Sequence, residues 1–195
     1  LDPRSAEWDR GLLESFGLSS SILRNLVTPG ARLGSLLPHL AEAARVSAQT
    51  PVYATAGHDT ACAVAAVPAT GRDGWCYISS GTWSLLGAEM DAPVMNAGAL
   101  AHGFTNEMGA DGRIRFLKNI MGLWLLQECR RAWAHDGAEY SYEELVSAAR
   151  DAQPFLAVVD PDAFLAPGGM PDKIRKYCTD SGQRVPEGPG QISRV

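Results

Sequence analysis

No block of lysine and arginine occurs anywhere in the 195 residues, no basic residues interleave with aromatics, and the net charge is −5. That balance lacks the electrostatic footprint of a nucleic-acid or anionic-membrane binder. No apolar run approaches the span of a bilayer, and no basic start followed by an apolar stretch marks a secretory signal, so a cytoplasmic location is expected. Cysteine is scarce: Cys62, Cys76, Cys129 and Cys178 lie scattered without a CxxC spacing. They offer neither a zinc site nor a disulfide framework. A phosphate loop of the form GxxxxGK followed by Ser or Thr is absent, as is GxGxxG, so any nucleotide must be held another way. HExxH and GxSxG are missing too, which leaves metalloprotease and α/β-hydrolase readings without support. There is no internal repeat and no low-complexity segment.

What is present is a globular α/β pattern. Apolar residues make up 46% of the chain, enough for a sizeable core in one domain or pieces of two. Leu12, Leu13 and Phe16 have helical spacing and predict a helix over residues 11–16 that Gly17 stops. Ile22, Leu23 and Leu26 predict a second over 19–26, broken by Pro29-Gly30, and 40–46 reads as a third. Residues 33–37 are too short and apolar to assign. Residues 51–56 read as a strand, followed by Gly57-His58-Asp59-Thr60 and an Ala/Val helix over 61–67. The linker-like stretch 68–74 places an expected domain boundary at 70/71. Beyond it, 75–78 and 84–90 form a predicted hairpin. A loop through Asp91, Pro93, Asn96 and Gly98 follows, then an extended 104–107 and a strand over 113–117, three antiparallel strands in series as a meander. Residues 118–133 are predicted as the strongest helix. Ser141 caps a helix running to Asp151 with Glu144 in the capping-box position; 160–172 reads as a loop and 173–179 as a short helix.

Three places could carry chemistry. The turn at 79–84 gathers Ser79, Ser80, Thr82 and Ser84 around Gly81, which lets a ligand approach the main chain, and a bent run of amides forms an anion-binding concavity. A plain hairpin turn wants the same residues for conformational reasons. Asp59 stands where a strand's carboxyl end passes into a helix, a place where reactive side chains gather. As a general base it would accept a proton; as an N-cap it would only accept bonds from first-turn amides. His58 beside it is either part of that site or a bystander in the turn. On the predicted 118–133 helix, Asn119 and Gln127 would lie about 12 Å apart along the axis and could touch two ligands, or simply face solvent.

Together these stretches resemble a known family. GHDT at 57–60 before an Ala/Val helix, YISSGTWSLLG at 77–87, Thr105-Asn106-Glu107, and RFLKNIMGLWLLQE at 115–128 are similar to the rhamnulokinases. These belong to the sugar-kinase family that includes glycerol kinase and xylulokinase. The likeness runs from Trp8-Asp9 through Pro29-Gly30 to Tyr177-Cys178 and Gly182-Gln183. It implies an actin-like, ribonuclease-H-like α/β kinase of two lobes with a cleft between them. Residues 1–70 would end the sugar-binding lobe and 71–195 would begin the ATP-binding lobe. The reaction implied is ATP-dependent phosphorylation of the 1-hydroxyl of L-rhamnulose, with Mg²⁺ bridging the phosphates. Asp59 would be the catalytic base, with His58 and Thr60 beside it on the sugar. Gly81 and Thr82 would bind ATP phosphate, Asn119 would reach the sugar, and Gln127 the ATP.

Two family motifs do not occur, an amino-terminal Asp-x-Gly-Thr-Ser-like phosphate loop and a carboxyl-terminal Gly-Gly-rich adenosine loop. The chain is therefore expected to be an internal piece of a longer protein, inactive alone, whose exposed strand edges invite self-association. Small molecules, sugar and ATP, are its expected partners. A kinase for a related ketose such as L-fuculose, or a non-catalytic sugar-binding remnant, are the alternatives.

Overall fold

A computed structural model describes residues 1–195. The chain divides into two compact units, Leu1–Ser79 with Leu85–Lys118, and Ser80–Ser84 with Asn119–Val195. The borders differ from the one expected at 70/71, because the linker-like stretch 68–74 is tied into the first unit. Arg113, 4% exposed, donates to the carbonyl of Arg72 (2.8 Å), Asp73 Oδ1 (3.0 Å), the carbonyl of Glu89 (2.7 Å) and Asp91 Oδ1 (2.7 Å).

The first unit opens with α1 (Arg10–Ser15), whose N-cap Asp9 accepts from the Leu12 amide. The helix predicted over 19–26 shrinks to a 3-10 turn at Ser20–Ile22. Ile22 and Leu26 are exposed, so no core receives the apolar stripe that would sustain a longer helix. Next come β1 (Arg32–Ser35), α2 (Pro38–Ala44), β2 (Pro51–Tyr53) and α3 (Asp59–Ala65), with β1 and β2 paired antiparallel. The residues left unassigned at 33–37 thus contribute an edge of a two-stranded sheet.

Four further strands, β3 (Tyr77–Ser79), β4 (Trp83–Met90), β5 (Thr105–Met108) and β6 (Ile114–Met121), form one sheet in the order β3-β4-β6-β5. The predicted hairpin is present, with Tyr77 opposite Gly87 and Ser79 opposite Leu85. The simple meander is not, for β6 lies between β4 and β5. The connection after β4 carries its own short helix, α4 (Ala97–Ala101), capped by Asn96. A connection of that length is free of the hairpin constraint and delivers β5 to the far side of β6. There β5 pairs antiparallel with β6, Thr105 opposite Leu117 and Met108 opposite Ile114.

The strongest predicted helix is also reassigned. Residues 118–121 continue β6, and the helix α5 spans Trp124–His135. Arg113, Arg115 and Leu117 are buried, a two-residue period that seats one face of the strand, and Met121 is buried again at its end. That burial overrides the helical spacing of Ile120 and Met121. In the second unit α6 (Tyr142–Asp151) has the expected capping box, Ser141 Oγ accepting from the Glu144 amide (3.1 Å) and Glu144 Oε2 accepting from the Ser141 amide (2.7 Å). The bond from the Ser141 amide, with a second from the Ser141 hydroxyl to the same Oε2 at 2.8 Å, holds the Glu144 carboxyl below its ordinary range. The stretch read as a loop contains a 3-10 turn at Pro161–Phe164 and the start of α7 (Met170–Asp180), which is longer than predicted. Pro171 fits there because a first-turn residue has no amide bond to lose. The chain closes with α8 (Gly188–Arg194).

The second unit's core gathers Met121, Cys129, Trp133, Leu145, Phe164, Met170, Ile174, Cys178 and Ile192. Full burial of a side chain such as Leu145 stabilises the fold by roughly 1.5–3 kcal/mol. Burial pushes the Cys129 thiol up to about 12 and raises that of Cys178. Both are therefore protonated and inert at neutral pH. An alkylating reagent at about pH 8 is expected to label exposed Cys76 first and to spare Cys129 and Cys178 until denaturant is added. Equal labelling rates by mass spectrometry would contradict this core. No helix is long and apolar enough to cross a membrane.

Candidate functional site

In the first unit the candidate residues stand at the start of α3. Gly57 has φ 95°, a left-handed conformation that turns the chain out of the extended segment after β2. His58, still extended, occupies the N-cap position, and Asp59 is the first helical residue. The N-cap reading of Asp59 is thereby corrected, since its Oδ1 accepts only from the adjacent Thr60 amide at 2.7 Å. Ala61 and Val64 are buried and set the face of α3 that packs inward. Asp59 is left fully exposed, with its carboxylate available to a ligand.

His58 is more than a bystander in the turn. Its Nε2 lies 2.8 Å from Arg115 Nη2 and 3.4 Å from Glu107 Oε2, and its Nδ1 lies 3.7 Å from Asp59 Oδ1. Arg115 in turn reaches Glu107 Oε2 at 2.6 Å. Three elements, α3, β5 and β6, thus converge on one cluster of charged and imidazole groups. The Tyr77 phenol from β3 belongs beside it. Burial pushes that phenol above its ordinary value, against the lowering effect of the Arg115 guanidinium. Sequence reasoning missed Arg115 and Glu107. The alternation Arg113-Ile114-Arg115-Phe116 puts Arg115 on the polar face of the predicted strand, so its burial left no signal in the sequence.

In the second unit the Gly81 turn is held from the start of α5. The Leu123 amide donates to the Gly81 carbonyl at 2.9 Å, and the amides of Gly122 and Trp124 donate to the Thr82 carbonyl at 3.2 and 3.1 Å. A Cβ on Gly122 would overlap the Gly81 carbonyl oxygen and Ser84 Oγ, so the close approach requires glycine. The expected array of hydroxyls and amides is narrower than the sequence suggested. Ser84 is buried, and its Oγ accepts from the Gly81 amide at 3.4 Å, so both are directed inward. Thr82 differs. Gln127 Nε2 donates to Thr82 Oγ1 at 3.0 Å, and a hydroxyl that accepts one bond keeps its own proton for an outside acceptor such as a phosphate oxygen.

Asn119 is exposed on β6 rather than standing on a helix. The expectation that Asn119 and Gln127 share one helix at two levels therefore fails. Gln127 is on α5, and the partner it has is Thr82.

Residues 76–194 match the model of the C-terminal domain of the FGGY family of carbohydrate kinases. The chain belongs to that family. Among curated relatives, a protein named rhamnulokinase from Bacteroides thetaiotaomicron is 46% identical over 185 residues, 94% of this chain and 37% of that protein. Another of that name from Enterococcus faecalis is 42% identical over 200 residues, 100% of this chain and 39% of that protein. The chain therefore spans under two fifths of the length of these curated relatives. Among solved structures, a xylulose kinase from Lactobacillus acidophilus superposes with a TM-score of 0.60 at 15% identity, covering 80% of this chain and 30% of that one. A gluconate kinase from the same organism gives 0.60 at 14% identity, covering 100% and 38%. At such identities the likeness is one of fold, and it is the α/β sugar-kinase fold expected from the sequence.

Proposed function

We propose that this sequence serves in an ATP-dependent kinase that phosphorylates L-rhamnulose at its 1-hydroxyl, yielding L-rhamnulose 1-phosphate and ADP in the breakdown of L-rhamnose. The observation that carries the reading is the 46% identity to a named rhamnulokinase over nearly the whole chain. It is supported by the exposed Asp59 carboxylate at the head of α3. A sugar hydroxyl attacking the γ-phosphorus needs a carboxylate within hydrogen-bond reach to take its proton, and that is the role assigned to Asp59. His58 and Thr60 would line the sugar beside it, and Asn119 would reach another part of the sugar. Thr82 would donate its free hydroxyl proton to a phosphate oxygen of ATP, with Gly81 giving close access to the main chain. Gln127 would hold that hydroxyl and border the nucleotide.

Residues 1–70 would complete a sugar-binding lobe and 71–195 begin the ATP-binding lobe. No group of three His, Cys, Asp or Glu side chains is placed to hold a metal, and Mg²⁺ would be carried on the phosphates of ATP, as it commonly is. The outer strands β3 and β5 would take up further strands of a longer chain or of a second copy.

The reading is tested by coupled ADP release from a polypeptide of the relatives' length that carries these residues, offered L-rhamnulose, L-fuculose and L-xylulose in turn. Highest kcat/KM for L-rhamnulose is expected. Preference for L-fuculose would transfer the assignment to a related ketose, and no sugar-dependent ADP with any of them would leave only a sugar-binding remnant.

A further inference from the structure

The cluster behind His58 carries an additional assignment, one that rests on the reading of Asp59 as the base. Arg115 is 1% exposed, and a guanidinium has hydrogen-bond donors but no acceptor. Its Nη2 stands 2.8 Å from His58 Nε2, so that ring nitrogen must offer a lone pair and carries no hydrogen. The same Nη2 directs its second hydrogen to Glu107 Oε2 at 2.6 Å. Glu107 Oε2 and His58 Nε2, 3.4 Å apart, are then two acceptors sharing one donor group, not a hydrogen-bonded pair. The imidazole proton falls to Nδ1, the nitrogen 3.7 Å from Asp59 Oδ1.

We infer that Arg115 and Glu107 are positioning residues that hold His58 neutral in its Nδ1–H tautomer and thereby present an N–H on the side of the Asp59 carboxylate. The chemical sense follows from charge. A cation beside a carboxylate weakens it as a proton acceptor. A neutral imidazole can orient the carboxylate, or a substrate hydroxyl between them, without that penalty. The groups facing His58 are Asp59 from its own helix, Glu107 from β5 and Arg115 from β6, with the Tyr77 phenol from β3 behind the guanidinium. Arg115 Nη2 alone serves both Glu107 and His58, so the one buried guanidinium ties the imidazole to the carboxylate.

The test is multiple-bond ¹H–¹⁵N correlation on the chain labelled at histidine, with the His58 signals assigned by their loss in His58→Gln. At about neutral pH the expected spectrum has a protonated-type nitrogen at Nδ1 and an unprotonated one at Nε2. Arg115→Met should shift the pattern toward Nε2–H, and Arg115→Lys, another donor-only side chain, should restore it. Glu107→Gln should retain Nδ1–H. A wild-type spectrum of the Nε2–H tautomer or of imidazolium would overturn the inference, whatever the variants do. So would an unchanged Nδ1–H pattern in an Arg115→Met chain whose sheet amides are undisturbed. In a polypeptide of the relatives' length, Arg115→Lys should lower kcat by at most about tenfold, and Arg115→Met by more, with KM for the sugar little changed. If Asp59→Asn keeps its turnover, the base reading falls while the tautomer result stands. If Asp59→Asn is inactive and the tautomer is Nε2–H, only the positioning role falls.

Discussion

Asparagine in place of Asp59 should lower kcat for phosphoryl transfer by about 10²–10⁴-fold, the range that a positioned general base contributes, while KM for the sugar stays nearly constant. The substitution is nearly isosteric. Its amide oxygen can still accept from the Thr60 amide, so the bond that Asp59 Oδ1 makes at 2.7 Å survives and α3 starts as before. The side chain is fully exposed, and no packing is lost. What disappears is the ability to take a proton from the attacking hydroxyl. Coupled ADP release measures kcat, and calorimetric titration with the sugar checks that binding is intact. Wild-type turnover in Asp59→Asn would remove Asp59 from the chemistry.

Gly122→Ala should combine a loss of stability with a loss of nucleotide recognition. The added Cβ meets the Gly81 carbonyl oxygen and Ser84 Oγ. One of these is backbone, so rotating a side chain cannot relieve the clash, and the turn itself has to move. Overpacking of this kind typically costs about 1–3 kcal/mol, read here as a lower urea midpoint with the slope unchanged. The displaced turn would also lose the bond from Gln127 Nε2 to Thr82 Oγ1, now 3.0 Å. A misplacement of about 1 Å can reduce rate about 10²-fold, which sets the expected fall in kcat/KM for ATP. Adding Ser84→Ala should not rescue the variant, since the Gly81 carbonyl remains in the way. A Gly122→Ala protein with wild-type urea midpoint and ATP kinetics would show that the turn does not depend on this approach.

The candidate site was only partly legible before folding. The His58-Asp59-Thr60 corner could be found because Gly57 and the Ala/Val run mark the passage from strand to helix over a few neighbouring residues. Ser80 to Ser84 announced a turn for the same reason. Nothing in either stretch revealed Arg115, because the partner of His58 is on β6, far along the chain, and becomes its neighbour only when β6 is laid beside β5. Gln127 was singled out as touching a nucleotide, yet its contact with Thr82 depends on α5 beginning after β6 ends.

Features set by near neighbours were decided by the sequence itself: the capping box of Ser141 and Glu144, the Asp9 start of α1, and the β3–β4 hairpin. Each needs only residues a few positions apart, whose steric and hydrogen-bonding preferences act whether or not the rest has folded. Tertiary structure decided the remainder. It made residues 118–121 strand, where Met121 is buried, and reduced 19–26 to a single turn for want of a surface to cover. It also placed β6 between β4 and β5. In the first two cases the deciding quantity was burial against distant parts of the chain, a free energy that helical spacing cannot report because the same apolar residues serve a strand or a helix equally well, and in the third it was the pairing that the long β4–β5 connection left open.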